Sequence, residues 1–207
     1  MISPALERFS LDVPRGLASR MRLLRYRCLG LKAGHRNRME RVRCRRLANI
    51  VLGDYNAFTE GCWLWPQNSD YEGVRIRIGN YNYFNRNLMI DSSGYVEIGD
   101  HNMFGPDIYI TDSNHEYGAG LSPASQPMSE GIVKIGSHCW IGAKAIILKN
   151  VNLGDYCVVG AGAVVTKSFP AGSVIAGIPG RLLRSTILKD ARSSESAIKS
   201  RWLAQSS

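Results

Sequence analysis

One histidine stands in the most unusual stretch of this 207-residue chain, residues 111–117, which read Thr-Asp-Ser-Asn-His-Glu-Tyr. Asn114 directly precedes His115 there. A neutral imidazole can accept the proton of a weakly nucleophilic hydroxyl and so activate its oxygen for attack. The stretch therefore indicates general-base chemistry, with His115 as the base.

The other three histidines carry no comparable signal. His35 lies in a basic N-terminal region, while His101 and His138 occupy ordinary corner or face positions of a repeat. A zinc site needs several convergent ligands, and no such set is visible in the sequence. We therefore predict no metal.

A strict six-residue repeat must position His115. Aliphatic residues recur every six positions in the C-terminal half: Ile135, Ile141, Ile147, Leu153, Val159 and Val165. The same spacing recurs upstream in three sets: Leu52, Phe58 and Leu64; Ile78, Phe84 and Ile90; Ile98, Phe104 and Ile110. A period of six fits neither a helix nor a simple alternating strand. It indicates a chain that turns a corner every six residues and places one apolar residue inward on each side. The largest break in the repeat separates Ile110 from Ile135 and contains His115.

This pattern resembles the hexapeptide-repeat acyltransferases, in the sugar O-acetyltransferase branch with the maltose, galactoside and capsular-polysaccharide enzymes. The resemblance implies an all-β solenoid, a left-handed parallel β-helix with three six-residue sides per coil. Residues 1–34 are then a basic amphipathic segment, and residues 35–184 are the β-helix, with a catalytic loop at 111–132. Residues 185–207 are a C-terminal tail or short helix.

The resemblance also implies roles on the acceptor side of the site. His115 is the catalytic base, and Glu130 is a second catalytic candidate that orients the imidazole or binds a sugar hydroxyl. The alternative for Glu130 is a solvated loop charge. Asn85 and Asn114 are expected to bind the acceptor substrate.

Acetyl-CoA is the co-substrate that the resemblance implies. The expected contacts combine small residues that let a pantetheine arm approach the backbone with an aromatic ring, a hydroxyl and basic groups for phosphates. These residues are Trp140, Ala143, Ala161, Gly162, Thr166, Lys167, Arg181 and Arg184.

The charge of +9 is concentrated at the N-terminus. Residues 1–50 carry thirteen Lys and Arg against three Asp and Glu, whereas the rest carries thirteen against fourteen. A nearly neutral body argues against a nucleic-acid groove along it.

Apolar residues at helical spacing alternate with arginines in this basic segment: Leu17, Met21, Leu24, Cys28 and Leu31, with Arg20, Arg22, Arg25 and Arg27. We predict an amphipathic helix that caps the solenoid with its apolar stripe. The second interpretation places the helix on an anionic membrane surface.

The function that follows is an acetyl-CoA-dependent O-acetyltransferase acting on a hydroxyl of a sugar or surface-polysaccharide precursor. One alternative is acetylation of an antibiotic or an amino sugar, and another is a non-catalytic β-helix scaffold. The resemblance implies a homotrimer with active sites between neighbouring subunits. We predict a cytoplasmic protein, because no apolar run approaches the roughly 20 residues of a membrane span and no secretory signal is evident. The second interpretation of the N-terminal helix would place the protein at the inner face of the membrane.

Overall fold

The computed structural model describes residues 13–67, 73–118 and 120–186. The short C-terminal helix predicted within residues 185–207 falls almost entirely outside the described residues.

Three sheets of parallel strands form the body, and the strands are numbered in chain order. Sheet 1 contains β1 (Lys32–Ala33), β4 (Ile50–Leu52), β7 (Ile76–Ile78), β10 (Tyr95–Ile98), β15 (Ile132–Ile135) and β18 (Asn152–Leu153). Sheet 2 contains β2 (Arg38–Met39), β5 (Ala57–Phe58), β8 (Tyr83–Phe84), β11 (Met103–Phe104), β16 (Trp140–Ile141), β19 (Val158–Val159), β21 (Ser173–Ala176) and β22 (Arg181–Ser185), the last antiparallel to β21. Sheet 3 contains β3 (Arg43–Cys44), β6 (Trp63–Pro66), β9 (Met89–Ser92), β12 (Tyr109–Thr111), β17 (Ile146–Ile147) and β20 (Val164–Val165). Successive strands visit the three sheets in turn, so every three strands make one coil.

The six-residue repeat predicts the inward side chains correctly. Ile98 pairs with Ile135, which pairs with Leu153, and all three are buried. Phe58 and Phe84 stack at 4.4 Å, and Phe104 continues the stack at 4.7 Å from Phe84. A fully buried large apolar side chain contributes roughly 1.5–3 kcal/mol, against about 0–1 kcal/mol for a surface ion pair. The stacked core therefore holds successive coils together.

The coil formed by β1, β2 and β3 precedes the first repeat recognised in the sequence. Its inward positions hold Ala33, Met39 and Cys44 rather than an aliphatic series, although Met39 is fully buried. Arg36 and Arg41 occupy left-handed corners of this coil, with φ of 53° and 44°. The aliphatic repeat is therefore absent from this coil, although the predicted β-helix, residues 35–184, includes most of it.

Gly-Asp and Gly-Asn pairs precede several corners, such as Gly53-Asp54 and Gly79-Asn80, but these pairs do not adopt the left-handed backbone. Positive φ falls instead on the residue after each pair, as at Tyr55 and Tyr81, with φ of 57° and 56°. Gly53 is needed for space, because a Cβ there would lie 2.6 Å from the carbonyl oxygen of Gly79. The glycines therefore allow neighbouring coils to approach closely.

The residues at these left-handed corners form an exposed ladder of stacked rings. Tyr55, Tyr81, His101, His138 and Tyr156 follow one another with ring-centroid distances of 4.7, 4.8, 5.1 and 4.8 Å. Buried asparagines line the same corner inside, where Asn82 Oδ1 accepts a hydrogen bond from the Asn102 N–H at 2.9 Å. His101 and His138 are therefore corner residues of the solenoid.

The N-terminal helix α1 (Val13–Cys28) packs on the first coil, but not through the predicted apolar stripe. Its packed face carries Leu23, together with Ser19, whose Oγ accepts a hydrogen bond from the Met39 N–H at 2.7 Å, and Tyr26, whose hydroxyl donates to the Val42 carbonyl at 2.8 Å. Of the five residues in the predicted stripe only Leu31 is buried. Within the described residues, no helix has the length and apolar character needed to cross a membrane.

Candidate functional site

The long break in the repeat folds into an antiparallel hairpin. Its strands are β13 (Ser113–His115) and β14 (Met128–Glu130), and a 3₁₀ turn at Pro123–Ser125 lies between them. Ser113 pairs with Glu130 and His115 pairs with Met128. Side chains of directly paired residues share one face of a hairpin, so Glu130 and His115 lie on the same face, two residues apart along the ladder.

A buried carboxylate anchors the base of this hairpin. Asp112 is fully buried between β12 and β13 and accepts hydrogen bonds from Ser92 Oγ at 2.6 Å, the Ser93 N–H at 2.7 Å and the Gly94 N–H at 3.1 Å. Burial raises the pKa of Asp112, and the three donated hydrogen bonds oppose that rise. Asp112 thus ties the turn between β9 and β10 to the strand that carries His115.

We predict that Asp112→Asn lowers the free energy of unfolding by about 1–3 kcal/mol, because the amide nitrogen would face N–H donors and leave one unsatisfied. A raised folded-state pKa means that the wild-type carboxyl stabilises most at acid pH, and that this contribution is lost as pH rises above the ordinary value of 3.8. The deficit of the variant should therefore shrink from about pH 4 towards neutrality in denaturant titrations. Asp107→Asn, at an exposed corner, is the matched control. An equal deficit at every pH would contradict this account.

His115 lies at a cleft of about 910 Å³ on the outer face of sheet 3. Polar side chains predominate in its lining, which consists of Gln67, Asp91, Ser93, Tyr109, Thr111, Ser113, Asn114, His115, Met128, Glu130, Leu148 and Lys149. The structure thus brings together three residues predicted from the sequence, His115, Asn114 and Glu130.

Several polar residues of this cleft were not predicted. Asp91 accepts hydrogen bonds from Gln67 Nε2 at 2.9 Å and from the Tyr109 hydroxyl at 3.3 Å, and Lys149 Nζ donates to Ser129 Oγ. A carboxylate and an ammonium group fixed in this way can bind several hydroxyls of one ligand. The repeat contained a signal for Asp91, since it directly follows the inward Ile90, as Thr111 follows Ile110.

Asn85 does not line the His115 cleft. It lines a second cleft of about 670 Å³ beside α1, together with Arg22, Glu60 and Tyr83, and its Oδ1 accepts a hydrogen bond from the Arg86 N–H at 2.8 Å. Within one chain, the structure does not bring Asn85 to His115.

Part of the predicted coenzyme A track lies on the corner between sheets 2 and 3. Trp140 projects from β16 and is 57% exposed. Ala143 accepts a hydrogen bond from the Gly162 N–H at 2.8 Å, and Ala161 follows Gly160 at the same corner. Asn85 belongs to the same column, because its N–H donates to the Phe104 carbonyl and the following coils repeat this bond at Gly105 and Gly142. The small side chains leave a flat edge that a pantetheine arm could approach.

The other predicted cofactor residues lie across sheet 3 or at its end. Thr166 and Lys167 follow β20, and the Leu148 N–H donates to the Val165 carbonyl at 3.0 Å, so this pair lies one coil beyond Leu148 and Lys149 of the His115 cleft. Arg181 and Arg184 are exposed on β22, opposite Ala176 and Val174. Apart from Arg181 and Arg184, the predicted residues therefore lie in two groups, one on each side of sheet 3. The Asn85 edge consists of Asn85, Trp140, Ala143, Ala161 and Gly162. The His115 edge consists of Asn114, His115, Glu130, Thr166 and Lys167.

Among residues 13–67, 73–118 and 120–186, no group of three or more His, Cys, Asp or Glu side chains is placed to hold a metal ion.

The coiled parallel body and its exit hairpin are similar to known transferases, in sequence and in fold. Residues 132–167 match the family described as bacterial transferase hexapeptide (six repeats). Nodulation protein L of Rhizobium leguminosarum bv. viciae is 47% identical over 117 residues, which cover 56% of this chain and 60% of that protein. The galactoside O-acetyltransferase of Escherichia coli K12 is 35% identical over 125 residues, covering 60% and 61%. The chain thus matches about three fifths of the length of these curated relatives.

Solved structures agree on the fold. AntD, an N-acyltransferase from Bacillus cereus in complex with dTDP and 3-hydroxybutyryl-CoA, superposes with a TM-score of 0.67 at 20% identity, covering 88% of this chain and 96% of that one. A galactoside acetyltransferase in complex with coenzyme A gives a TM-score of 0.55 at 25% identity, covering 77% and 67%. The predicted left-handed parallel β-helix with an N-terminal helix is confirmed, as is the predicted resemblance to hexapeptide-repeat transferases.

Proposed function

We propose that this protein is an acetyl-CoA-dependent O-acetyltransferase whose acceptor is a hydroxyl of a sugar or surface-polysaccharide precursor. The observation that carries the proposal is the position of His115, on a hairpin beside a polar cleft at the largest break in the six-residue repeat. The relatives support the acceptor class, because one of them is a galactoside O-acetyltransferase. Neighbouring structures with coenzyme A support the donor.

In the proposed reaction, His115 takes the proton of an acceptor hydroxyl while its oxygen attacks the thioester carbonyl carbon. The carbon–sulfur bond then breaks, and coenzyme A leaves as the thiol with that proton, so that the products are an acetyl ester and free coenzyme A. Asp91 and Lys149 hold neighbouring hydroxyls of the acceptor. A backbone N–H near Ala143 stabilises the oxyanion, as backbone donors do in acyl transfer. Glu130 orients the imidazole or binds a hydroxyl.

The proposed donor site uses the cofactor residues predicted from the sequence. Ala143, Ala161 and Gly162 leave the corner open to a pantetheine arm, and Trp140 covers its thioester end. Thr166 and Lys167 lie across sheet 3, so the same arm would meet them only from a neighbouring chain, and the exposed Arg181 and Arg184 would hold phosphates.

We also propose a homotrimer. The Asn85 edge and the His115 edge lie on opposite sides of sheet 3, so a single chain does not bring Asn85 and Trp140 to His115. Rotation of identical subunits about a threefold axis would place the Asn85 edge of one chain against the His115 edge of the next. Light scattering measures this directly, and a monomeric mass would refute the arrangement.

The proposed activity is tested by measuring coenzyme A release from acetyl-CoA with a panel of acceptors. Neutral glycosides, activated sugars, amino sugars and aminoglycosides should be compared. We expect a hydroxyl of a sugar to accelerate release most. Faster reaction with an amine would favour the amino-sugar or antibiotic alternative, and no release with any acceptor would favour a scaffold.

We propose that the enzyme works in the cytoplasm at the inner face of the membrane, with α1 as the contact. Leu17, Met21 and Leu24 form one exposed stripe, with 59%, 65% and 63% of each residue exposed. At 100° per residue, Arg20 and Arg25 flank this stripe on its two sides. Since the opposite face packs on the first coil, α1 can cap the solenoid and rest on anionic lipid at once.

Vesicles containing anionic lipid should therefore bind the intact protein, and added salt should weaken binding by screening the arginines. Changing Leu17, Met21 and Leu24 together to Glu should abolish binding without unfolding the protein, because these side chains are exposed. Changing the exposed Leu182 and Leu183 to Glu, at the far end of the solenoid, is the control. Failure of the intact protein to bind would refute the contact. A smaller assembly for the triple variant would show that a neighbouring subunit covers the stripe instead.

A further inference from the structure

Two arginines of the first coil lie over tryptophan rings on the outer face of sheet 3. The Arg43 guanidinium carbon is 4.7 Å from the centroid of the Trp63 ring, and that of Arg45 is 5.4 Å from the centroid of Trp65. The two indole rings adjoin, with centroids 5.2 Å apart and planes tilted by 45°. Stacking restricts a guanidinium while leaving its in-plane N–H groups free to bind an anion.

These stacks continue the outer face that becomes the His115 cleft. Arg43 pairs with Trp63, Trp63 with Met89, and Met89 with Tyr109. The parallel row joins Trp65 to Asp91 and Asp91 to Thr111. Tyr109, Asp91 and Thr111 all line the cleft. Adjacent strands are about 4.8 Å apart, so the backbone beside Arg45 lies roughly 10 Å from Asp91.

The charges of Arg43 and Arg45 are not neutralised by the described part of the chain. Two other arginines of the same coil have acidic partners, Arg38 with Glu40 and Arg41 with Glu60 at 2.6 Å. In residues 13–67, 73–118 and 120–186, neither Arg43 nor Arg45 takes part in an ion pair. Both are exposed. Arg43 and Arg45 are two residues apart on one face of the strand, so they are about 6.6 Å apart along the backbone. This spacing suits two neighbouring phosphates.

We propose that Arg43 and Arg45 form an anion subsite for the diphosphate of an activated sugar acceptor, with the sugar itself in the His115 cleft. This inference rests on the proposed acetyl transfer and narrows its acceptor class. One sugar ring with its anomeric phosphate can reach from the His115 cleft to the two arginines. A nucleoside diphosphate sugar and a polyprenyl diphosphate sugar share this chemistry, so the experiment must compare the two.

The test compares kcat/KM for a nucleoside diphosphate hexose with kcat/KM for the methyl glycoside of the same hexose. Changing Arg43 and Arg45 together to Gln should lower the preference for the diphosphate by roughly 10–100-fold, since each charge-assisted bond to phosphate is lost. Arg36→Gln is the matched control, because Arg36 lies 5.6 Å from the Tyr55 ring in a similar stack at another corner. An unchanged preference in the double variant would overturn the subsite.

Binding without acetyl-CoA separates this inference from the proposed activity. The diphosphate sugar should quench Trp63 and Trp65 fluorescence, and the double Gln variant should bind at least tenfold more weakly. Weakened binding by this variant, with no acetyl transfer to any acceptor, would support the subsite and refute the acetyltransferase. Acetyl transfer to both acceptors with no preference for the diphosphate would refute the subsite and support the acetyltransferase. Repeating the assay with a short polyprenyl diphosphate hexose in detergent identifies the source, since the better substrate of the two is the acceptor class.

Discussion

The His115→Ala variant is expected to lose roughly 10²–10⁴-fold in kcat for acetyl transfer, the usual effect of removing a positioned general base. Its fold should survive, because the side chain is exposed on the hairpin and contributes nothing to the stacked core. Steady-state kinetics with a saturating acceptor measures the loss, and thermal unfolding checks the fold.

His35→Ala is the matched control for that measurement, since His35 is also exposed but lies in the first coil. It should retain the wild-type kcat. A folded His115→Ala protein with nearly full kcat would rule out His115 as the base, whatever the acceptor.

The solenoid could be predicted because its core is periodic. Once Ile135 and its successors are placed inward, the register of each coil follows from the one before it, and residues such as Phe84 and Phe104 must stack. The aliphatic repeat does not extend to the first coil, because Met39 and Cys44 replace the aliphatic residues there. Periodicity carries no information about hydrogen bonds. The anchoring role of Asp112 is therefore visible only in the contacts of its carboxylate.

The face of α1 was predicted wrongly for a related reason. Hydropathy selects Leu17, Met21 and Leu24 as the buried stripe, yet the helix packs with Ser19 and Tyr26, whose hydroxyls satisfy backbone groups of the first coil. A hydrogen bond to an otherwise unpaired backbone group at the open end of a solenoid can outweigh the burial of a leucine. That choice depends on the partner surface, which the helix sequence does not contain.

The sequence predicts the residues of the candidate site, but not which of them lie on the same edge of the solenoid. Each position in a coil can be assigned to a corner, but catalysis needs the distance between corners. The structure separates Asn85 and Trp140 from His115 by the width of sheet 3. If the proposed function is correct, the sequence identified two halves of different active sites, one half facing each neighbour.

Mixed trimers should therefore restore activity that neither parent has. Assembled from equal amounts of His115→Ala and Trp140→Ala chains, about one interface in four would combine an intact His115 edge with an intact Trp140 edge, given random threefold assembly. Activity should rise from near the background of each variant to about a quarter of the wild-type value. Mass spectrometry of differently tagged chains confirms the mixing. A matched control mixes Trp140→Ala with Ala161→Phe, two defects on the same edge, and should give no recovery because every interface then keeps one damaged edge. Confirmed mixed trimers that remain inactive in the first pairing would place the complete site within one chain and end the two-subunit proposal.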